Sequence, residues 1–157
     1  MEPNKNHWMR LALEEARLAL EQDEVPVGAV VVLDGVLIGR GHNRTRALAD
    51  PTAHAEMLAI TAACETAGVP RLDGAELYVT LEPCQMCAGA MVWAKIAKLH
   101  YGAADPKAGA CGSLMDIARD PRLNHQLEVY GGVLEHEAAA LLEQFFQGKR
   151  GESLGKE

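Results

Sequence analysis

Asp50-Pro51-Thr52-Ala53-His54-Ala55-Glu56 and, after one intervening strand, Pro83-Cys84-Gln85-Met86-Cys87 set the layout of the chain. One imidazole and two thiols are the ligand set of a catalytic zinc with an open fourth position. Glu56 puts a carboxylate where such a zinc needs a proton carrier. Asp50 can cap a helix and Pro51 suits its first position. The spacing therefore predicts a helix over about 53–66, stopping near Gly68 and Pro70. Residues i and i+2 lie roughly 200° apart on a helix, so His54 and Glu56 serve one site only if it lies at the helix end. A second helix is predicted near 84–95. Cys84 and Cys87 are three apart and share one face of it, so a single turn offers both thiolates to one ion.

Outward from this stretch, Met9, Ala12, Leu13, Ala16, Ala19 and Leu20 form one apolar face of a helix over 5–22, with Glu14, Glu15, Arg17 and Glu21 on the wet side. Val27–Leu33 is a β-branched run suited to a strand buried on both faces. Asp34-Gly35 is a two-residue hairpin turn, and Val36–Gly41 returns as its partner. Gly39 and Gly41 mark a bulge or a close backbone approach. His42–Ala53 is a loop carrying Asn43, Arg44 and Arg46.

Further strands are predicted over Ala75–Leu81, Ala97–Tyr101 and Gln126–Tyr130. Between the last two lie a Gly/Ala-rich loop over 102–112, with Asp105, Pro106 and Lys107, and a short helical turn after Ser113. A final helix covers Leu134–Gln147, and Gly148–Glu157 reads as a frayed polar end. The order predicts an α/β fold, a three-layer α/β/α sandwich with a five-stranded mixed sheet. It forms one domain over 1–150 with a polar tail at 151–157.

Composition narrows the function. The chain has 157 residues, 48% of them apolar, which suits a single core. The N-terminus has no basic-then-apolar leader and no run long enough to span a bilayer, so a cytoplasmic protein without membrane attachment is expected. Cys84 and Cys87 in C-x-x-C beside a distant His favour a metal over disulfides. A redox C-x-x-C gives no reason for His54 and Glu56. A net charge of -7 argues against broad nucleic-acid binding but leaves room for a local basic patch.

Blander readings stand beside these. A closed structural zinc needs a fourth ligand, which Cys111 or Cys64 can supply, but it leaves Glu56 unexplained. Cys64 otherwise reads as core, and Cys111 has no assigned role. His7, His100, His125 and His136 have no ligand spacing and read as surface or structural. Asn43 is either a turn residue or an amide that reads a base edge. Phe145 and Phe146 are core, or a platform for a base.

A zinc in such a site lowers the pKa of a bound water from about 15.7 towards 7. That water can attack an electron-poor ring carbon bearing an amino group, while Glu56 takes a proton from it, protonates the neighbouring ring nitrogen and later, in a second proton transfer, protonates the departing amine. H-x-E…P-C-x-x-C is the known signature of zinc nucleobase deaminases, tRNA adenosine deaminases among them.

From about Trp8 to Arg150 the chain resembles the bacterial tRNA-specific adenosine deaminases of the cytidine deaminase-like superfamily. The motifs are Glu24-Val25-Pro26-Val27-Gly28-Ala29-Val30, the two quoted above extended by Thr80-Leu81-Glu82 and Ala88-Gly89-Ala90-Met91, and Gly112-Ser113-Leu114-Met115-Asp116. Asn124-His125, Leu141-Leu142 and Phe145-Phe146 join them. The resemblance implies a cytidine deaminase-like fold with five strands and one zinc per chain, held by His54, Cys84 and Cys87. It implies Glu56 as proton shuttle, Asn43 on the base, and Asp105 on the sugar or backbone. Its substrate is the wobble adenosine in the anticodon stem-loop of an arginine tRNA, and its assembly a homodimer with RNA near the interface; no DNA partner is expected. Arg44, Arg46, Lys107, Lys149 and Arg150 are candidates for a basic rim, Lys107 being the one on the Asp105 loop. Ala104 departs from the family, which carries a basic residue before Asp105.

Overall fold

The computed structural model describes residues 4–153, with side chains through Lys149. The hairpin is its centre. In β1 (Gly28–Leu33) all but Leu33 are buried. The chain turns through Asp34 and Gly35 at φ 51° and 74° into β2 (Val36–His42). Positive φ at both central positions is the turn whose twist matches a hairpin.

Register then slips: Val31 faces Gly39 and Val32 faces Leu37, leaving Ile38 as a bulge. Helix α2 (Ala55–Ala67) lies so close that a Cβ on Gly39 would sit 2.4 Å from the Ala59 carbonyl oxygen. The bulge and the close approach expected at these glycines are both present.

The sheet order is β2-β1-β3-β4-β5, with β3 (Glu76–Leu81), β4 (Lys98–Ala103) and β5 (Glu128–Tyr130). β1 pairs antiparallel with β2 and β3, while β3/β4 and β4/β5 are parallel. Helix α3 (Gln85–Ala94) makes the β3-to-β4 crossover. Alternate residues of the sheet feed two cores. Val31, Leu77, Val79 and Leu99 pack with Ala59, Ala63 and Met91 of α2 and α3. Val30, Val32 and Tyr78 pack with Met9, Ala12 and Leu13 of α1 (Lys5–Glu21) and Ala138 of α4 (Glu135–Ser153). Truncating Leu77 in this close-packed layer costs about 3 kcal/mol. This is the expected α/β/α sandwich with five strands.

Four expectations are corrected. Asp50 does not cap α2; its Oδ1 accepts from Thr52 N at 2.8 Å and Thr52 Oγ1 at 2.7 Å, closing a local turn, and the N-cap is His54. No helical turn follows Ser113, because a Cys111–Asp116 bridge holds that loop instead. Glu15 is not wet: it is buried and accepts from Arg40 Nε at 2.7 Å and pairs with His42 Nδ1 at 2.9 Å. Helix α4 runs to Ser153 rather than stopping at Gln147, and 154–157 of the expected tail lie outside the described residues. Among the described residues no helix is long and apolar enough to cross a membrane.

Candidate active site

Two helices begin at one point. His54 is the N-cap of α2 and Cys84 the N-cap of α3, both in extended backbone, and neither side chain caps its own helix. An N-cap side chain ordinarily turns back to the helix's first amides. Here both turn towards a shared centre instead, with Cys87 joining from the first turn of α3. His54 Nδ1 lies 3.5 Å from Cys87 Sγ and 3.7 Å from Cys84 Sγ, and the three donors lie within 4.8 Å of one another. Donors held at 2.0–2.3 Å around a tetrahedral ion sit roughly 3.5–3.8 Å apart. The trio fits one such ion and leaves a fourth position open. Cys64 and Cys111 do not belong to the group.

Electrostatics suit a cation. The two helix N-termini bring positive potential that favours thiolates. The Cys84 thiol is drawn down to about 3, first by its hydrogen bond with Cys87 and then by His54, despite burial. Cys87 is pushed up by the same bond and by burial. His54 is raised, chiefly by its bond to Cys84. Glu56, one residue inside α2, is buried, and burial pushes its carboxyl up to about 7. It therefore holds or releases a proton near neutral pH.

A cavity of about 260 Å³ opens over His54 and Cys84, with Asn43, Thr45, Glu56, Leu81, Asp105 and Ala108 among its walls. That is below the range for drug-sized ligands and suits one small ring. Asn43 combines its two readings. Its Oδ1 accepts from Ala55 N at 2.8 Å, satisfying the first orphan amide of α2. Its Nδ2 has no partner among the described residues and is left for the cavity.

Asp105 also lines the cavity, and its Oδ1 accepts from Lys107 N at 3.1 Å and Ala108 N at 3.2 Å. Lys107 is exposed on that turn and does not line the cavity.

Two glutamates that motif spacing did not single out hold the walls. Glu24, 1% exposed, accepts from Arg46 N at 3.1 Å, Ala47 N at 2.7 Å and Thr45 Oγ1 at 3.4 Å. Glu82, 2% exposed, accepts from the backbone N–H groups of Asp105, Cys111 and Ser113 at 3.0–3.1 Å and from the Ser113 hydroxyl. Only glycine fits at 109, where a Cβ would lie 2.4 Å from Glu82 Cδ. The available signal was an acid one or two residues before a proline, as in Glu24-Val25-Pro26 and Glu82-Pro83.

The remaining candidates fall away from the centre. His100 is stacked between Tyr78 and Tyr130 at 4.3 and 5.3 Å, with Nε2 on Glu76 Oε1 at 2.7 Å. His125 Nε2 donates to the Ile96 carbonyl at 2.7 Å. His7 and His136 are exposed. Phe145 is buried and Phe146 exposed. Arg44 is exposed, Arg46 and Lys149 both reach Asp23, and the Arg150 side chain lies outside the described residues.

The MafB19-like deaminase family profile matches residues 3–150. The tRNA-specific adenosine deaminase of Agrobacterium fabrum is 56% identical over 146 residues, covering 93% of this chain and 96% of that protein. That of Bacillus subtilis is 50% identical over 143 residues, covering 91% and 89%. A structure from studies of A-to-I editing by tRNA:A34 deaminases at the wobble position of transfer RNA matches with TM-score 0.85 at 55% identity. It covers 88% of this chain and all of that one. The guanine deaminase from Nitrosomonas europaea matches with TM-score 0.76 at 30% identity, covering 90% and 84%.

Proposed function

The chain belongs to the family of tRNA-specific adenosine deaminases, and from that premise we propose that it converts the wobble adenosine of a tRNA anticodon stem-loop to inosine, releasing ammonia. The observation that carries the reading is Glu56, buried beside the His54–Cys84–Cys87 trio in the wall of a ring-sized cavity. His54, Cys84 and Cys87 would hold one zinc per chain, which when bound supplies an acidified water as nucleophile. Glu56 would take one proton from the attacking water and give it to the ring nitrogen beside the attacked carbon, then take the second proton from the hydroxyl left on that carbon and give it to the amine, so that a carbonyl forms as ammonia leaves. A carboxyl balanced near neutral pH can do both within one turnover.

Asn43 donates from Nδ2 to an acceptor on the base edge. Asp105 meets the sugar or backbone, and Lys107 on the same turn faces the phosphates. An anticodon loop is already partly unstacked, so presenting one base costs less than opening a duplex. With a chain charge of -7, RNA affinity rests on the local rim of Arg44, Arg46, Lys107, Lys149 and Arg150. The substrate is an arginine tRNA, met in the cytoplasm, and DNA is not a partner. A homodimer, with RNA near its interface, is supported by the apolar groove of α2 and α3, where Trp93 stands 79% exposed. Residues 1–150 carry the deaminase domain, with the last turn of α4 running on through 151–153.

The test is a deamination assay with zinc-loaded protein. It compares a stem-loop carrying wobble adenosine with free adenosine, guanine and cytidine. Inosine in the stem-loop alone is the expected result. Turnover of a free base or nucleoside, with the stem-loop untouched, overturns the RNA reading and keeps the chemistry.

A further inference from the structure

Asp23 joins three parts of the chain. It follows the C-cap of α1 with φ 61°, in the left-handed region that Asp tolerates better than most residues. Its carboxylate accepts from Lys149 Nζ on α4 at 2.7 Å and from Arg46 Nη1. The same Nη1 donates to the Asp23 carbonyl at 3.1 Å. These cations lie 126 and 23 residues away in sequence. Next door, Glu24 fixes the backbone amides of Arg46 and Ala47. Arg46 is thus held twice, by side chain and by main chain, one residue beyond Thr45 in the cavity wall.

Exposed ion pairs ordinarily contribute little to stability, and this one is exposed, with 63% and 52% of its two side chains accessible. Its geometry is more informative than its energy. Both guanidinium bonds leave from Nη1, so Nε and Nη2 have no acceptor among the described residues. Nε and Nη2 form the two-donor edge that matches a pair of phosphate oxygens.

We propose that Asp23 is a positioning residue for the RNA: it pins Arg46 by one nitrogen so that the free Nε–Nη2 edge takes a backbone phosphate of the anticodon loop at the mouth of the cavity. The proposal rests on the tRNA-editing reading above. A guanidinium held in place before binding loses less freedom when the phosphate arrives. Phosphate contacts set register without reading sequence, and this one lies away from the reacting atoms. Its effect therefore belongs in KM and not in kcat.

The test is steady-state editing of the stem-loop at several salt concentrations by the wild type, Asp23→Asn, Arg46→Gln, Arg46→Lys and the Asp23→Asn/Arg46→Gln double variant. Asn tolerates the left-handed backbone, so Asp23→Asn removes the charge and keeps the turn. Asp23→Asn is expected to raise KM about three-fold and Arg46→Gln about ten-fold, with kcat within about two-fold of wild type. Arg46→Gln should also flatten the dependence of log KM on log salt by about 0.7 to 0.9. Arg46→Lys keeps the salt dependence but not the affinity, because a point charge lacks the fork. The double variant should match Arg46→Gln alone. One neutral methylphosphonate beside the edited adenosine should raise KM for the wild type and not for Arg46→Gln. An unchanged or lower KM in Asp23→Asn, or additive effects in the double variant, overturns the proposal alone. A wild type that leaves the stem-loop unedited overturns the tRNA reading with it.

Discussion

Glu56 and Glu82 stand on two sides of one cavity, and both are all but sealed from solvent, at 4% and 2% exposure. Their acidities nevertheless move in opposite directions. Burial raises Glu56 to about 7. Burial also acts to raise Glu82, but hydrogen bonds from Ser113, Asp105 and Cys111 outweigh it and hold the carboxyl below its ordinary value. The difference lies in the donors supplied. A carboxylate met by three amides and a hydroxyl is a fixed anion that shapes a wall. One given little beyond its own helix start keeps its proton in play. Depth alone does not set a carboxyl's acidity.

The hardest test of this contrast is a matched pair of substitutions. Glu56→Gln is expected to lower editing by about 10²- to 10⁴-fold, with metal content and melting temperature unchanged. A variant retaining more than about a tenth of wild-type turnover would remove Glu56 from the chemistry. Glu82→Ala is expected to do the reverse in kind. It strands buried donors, so the urea midpoint should fall by the equivalent of about 3 kcal/mol. A midpoint within about 0.5 kcal/mol of wild type would mean that water replaces the carboxylate at little cost.

Metal removal sharpens the contrast further, because the trio lies on the Glu56 side. A ligand at about 100 times its dissociation constant stabilises the fold by roughly 2.7 kcal/mol, and chelation should remove that amount. Cys87→Ala should abolish the difference between metal-loaded and chelated protein. Amide exchange across 105–113 should not change on chelation, since Glu82 and not the metal holds that loop; faster exchange there would merge the two regions into one.

His100 extends the rule at the smallest scale. Burial lowers its pKa from the ordinary 6.5, against the opposing pull of Glu76 and with minor help from Lys5 and Lys98. It has one acidic partner at Nε2, while its buried Nδ1 has none among the described residues, so burial wins, as it does at Glu56. Tyr78 and Tyr130 stack on the ring and supply no charge near neutral pH. Because the folded imidazole binds its proton less readily than the unfolded one, the fold is at full strength above about 6.5 and weakens as pH falls through the lower folded value. His100→Phe keeps the stack and should flatten this acid limb by less than about 1 kcal/mol. An unchanged limb would assign the loss to other groups.

The same contrast explains what was legible in the sequence. The motif spacing is local: His54–Glu56 and Cys84–Cys87 each span about one helix turn, so the placement of these residues at helix starts was legible. The hairpin and the Gly39/Gly41 approach were legible because glycine and Asp-Gly have few other uses in a strand. The start of α2 was misplaced because Asp50-Pro51 has the chemistry of a cap, while the true cap, His54, makes no side-chain bond to its helix. Glu24 and Glu82 went unread because their partners lie 21 to 31 residues away and are mostly backbone amides, which have no side-chain signature. The loop after Ser113 misled for the same reason: a carboxylate and an isolated bridge organise it, and its own propensity does not.

The span from His54 to Cys87 has a consequence in time. Every candidate ligand, Glu56 and three of the five strands precede residue 88. As the chain is made from its N-terminus, all three candidate ligands are synthesised before the segment that Glu82 gathers into a wall. Ser113, the last of that wall's donors, follows Cys87 by roughly 1–5 s of synthesis. Residues 105–113 then close one wall of the cavity, and α4, made last, packs on the opposite face of the sheet.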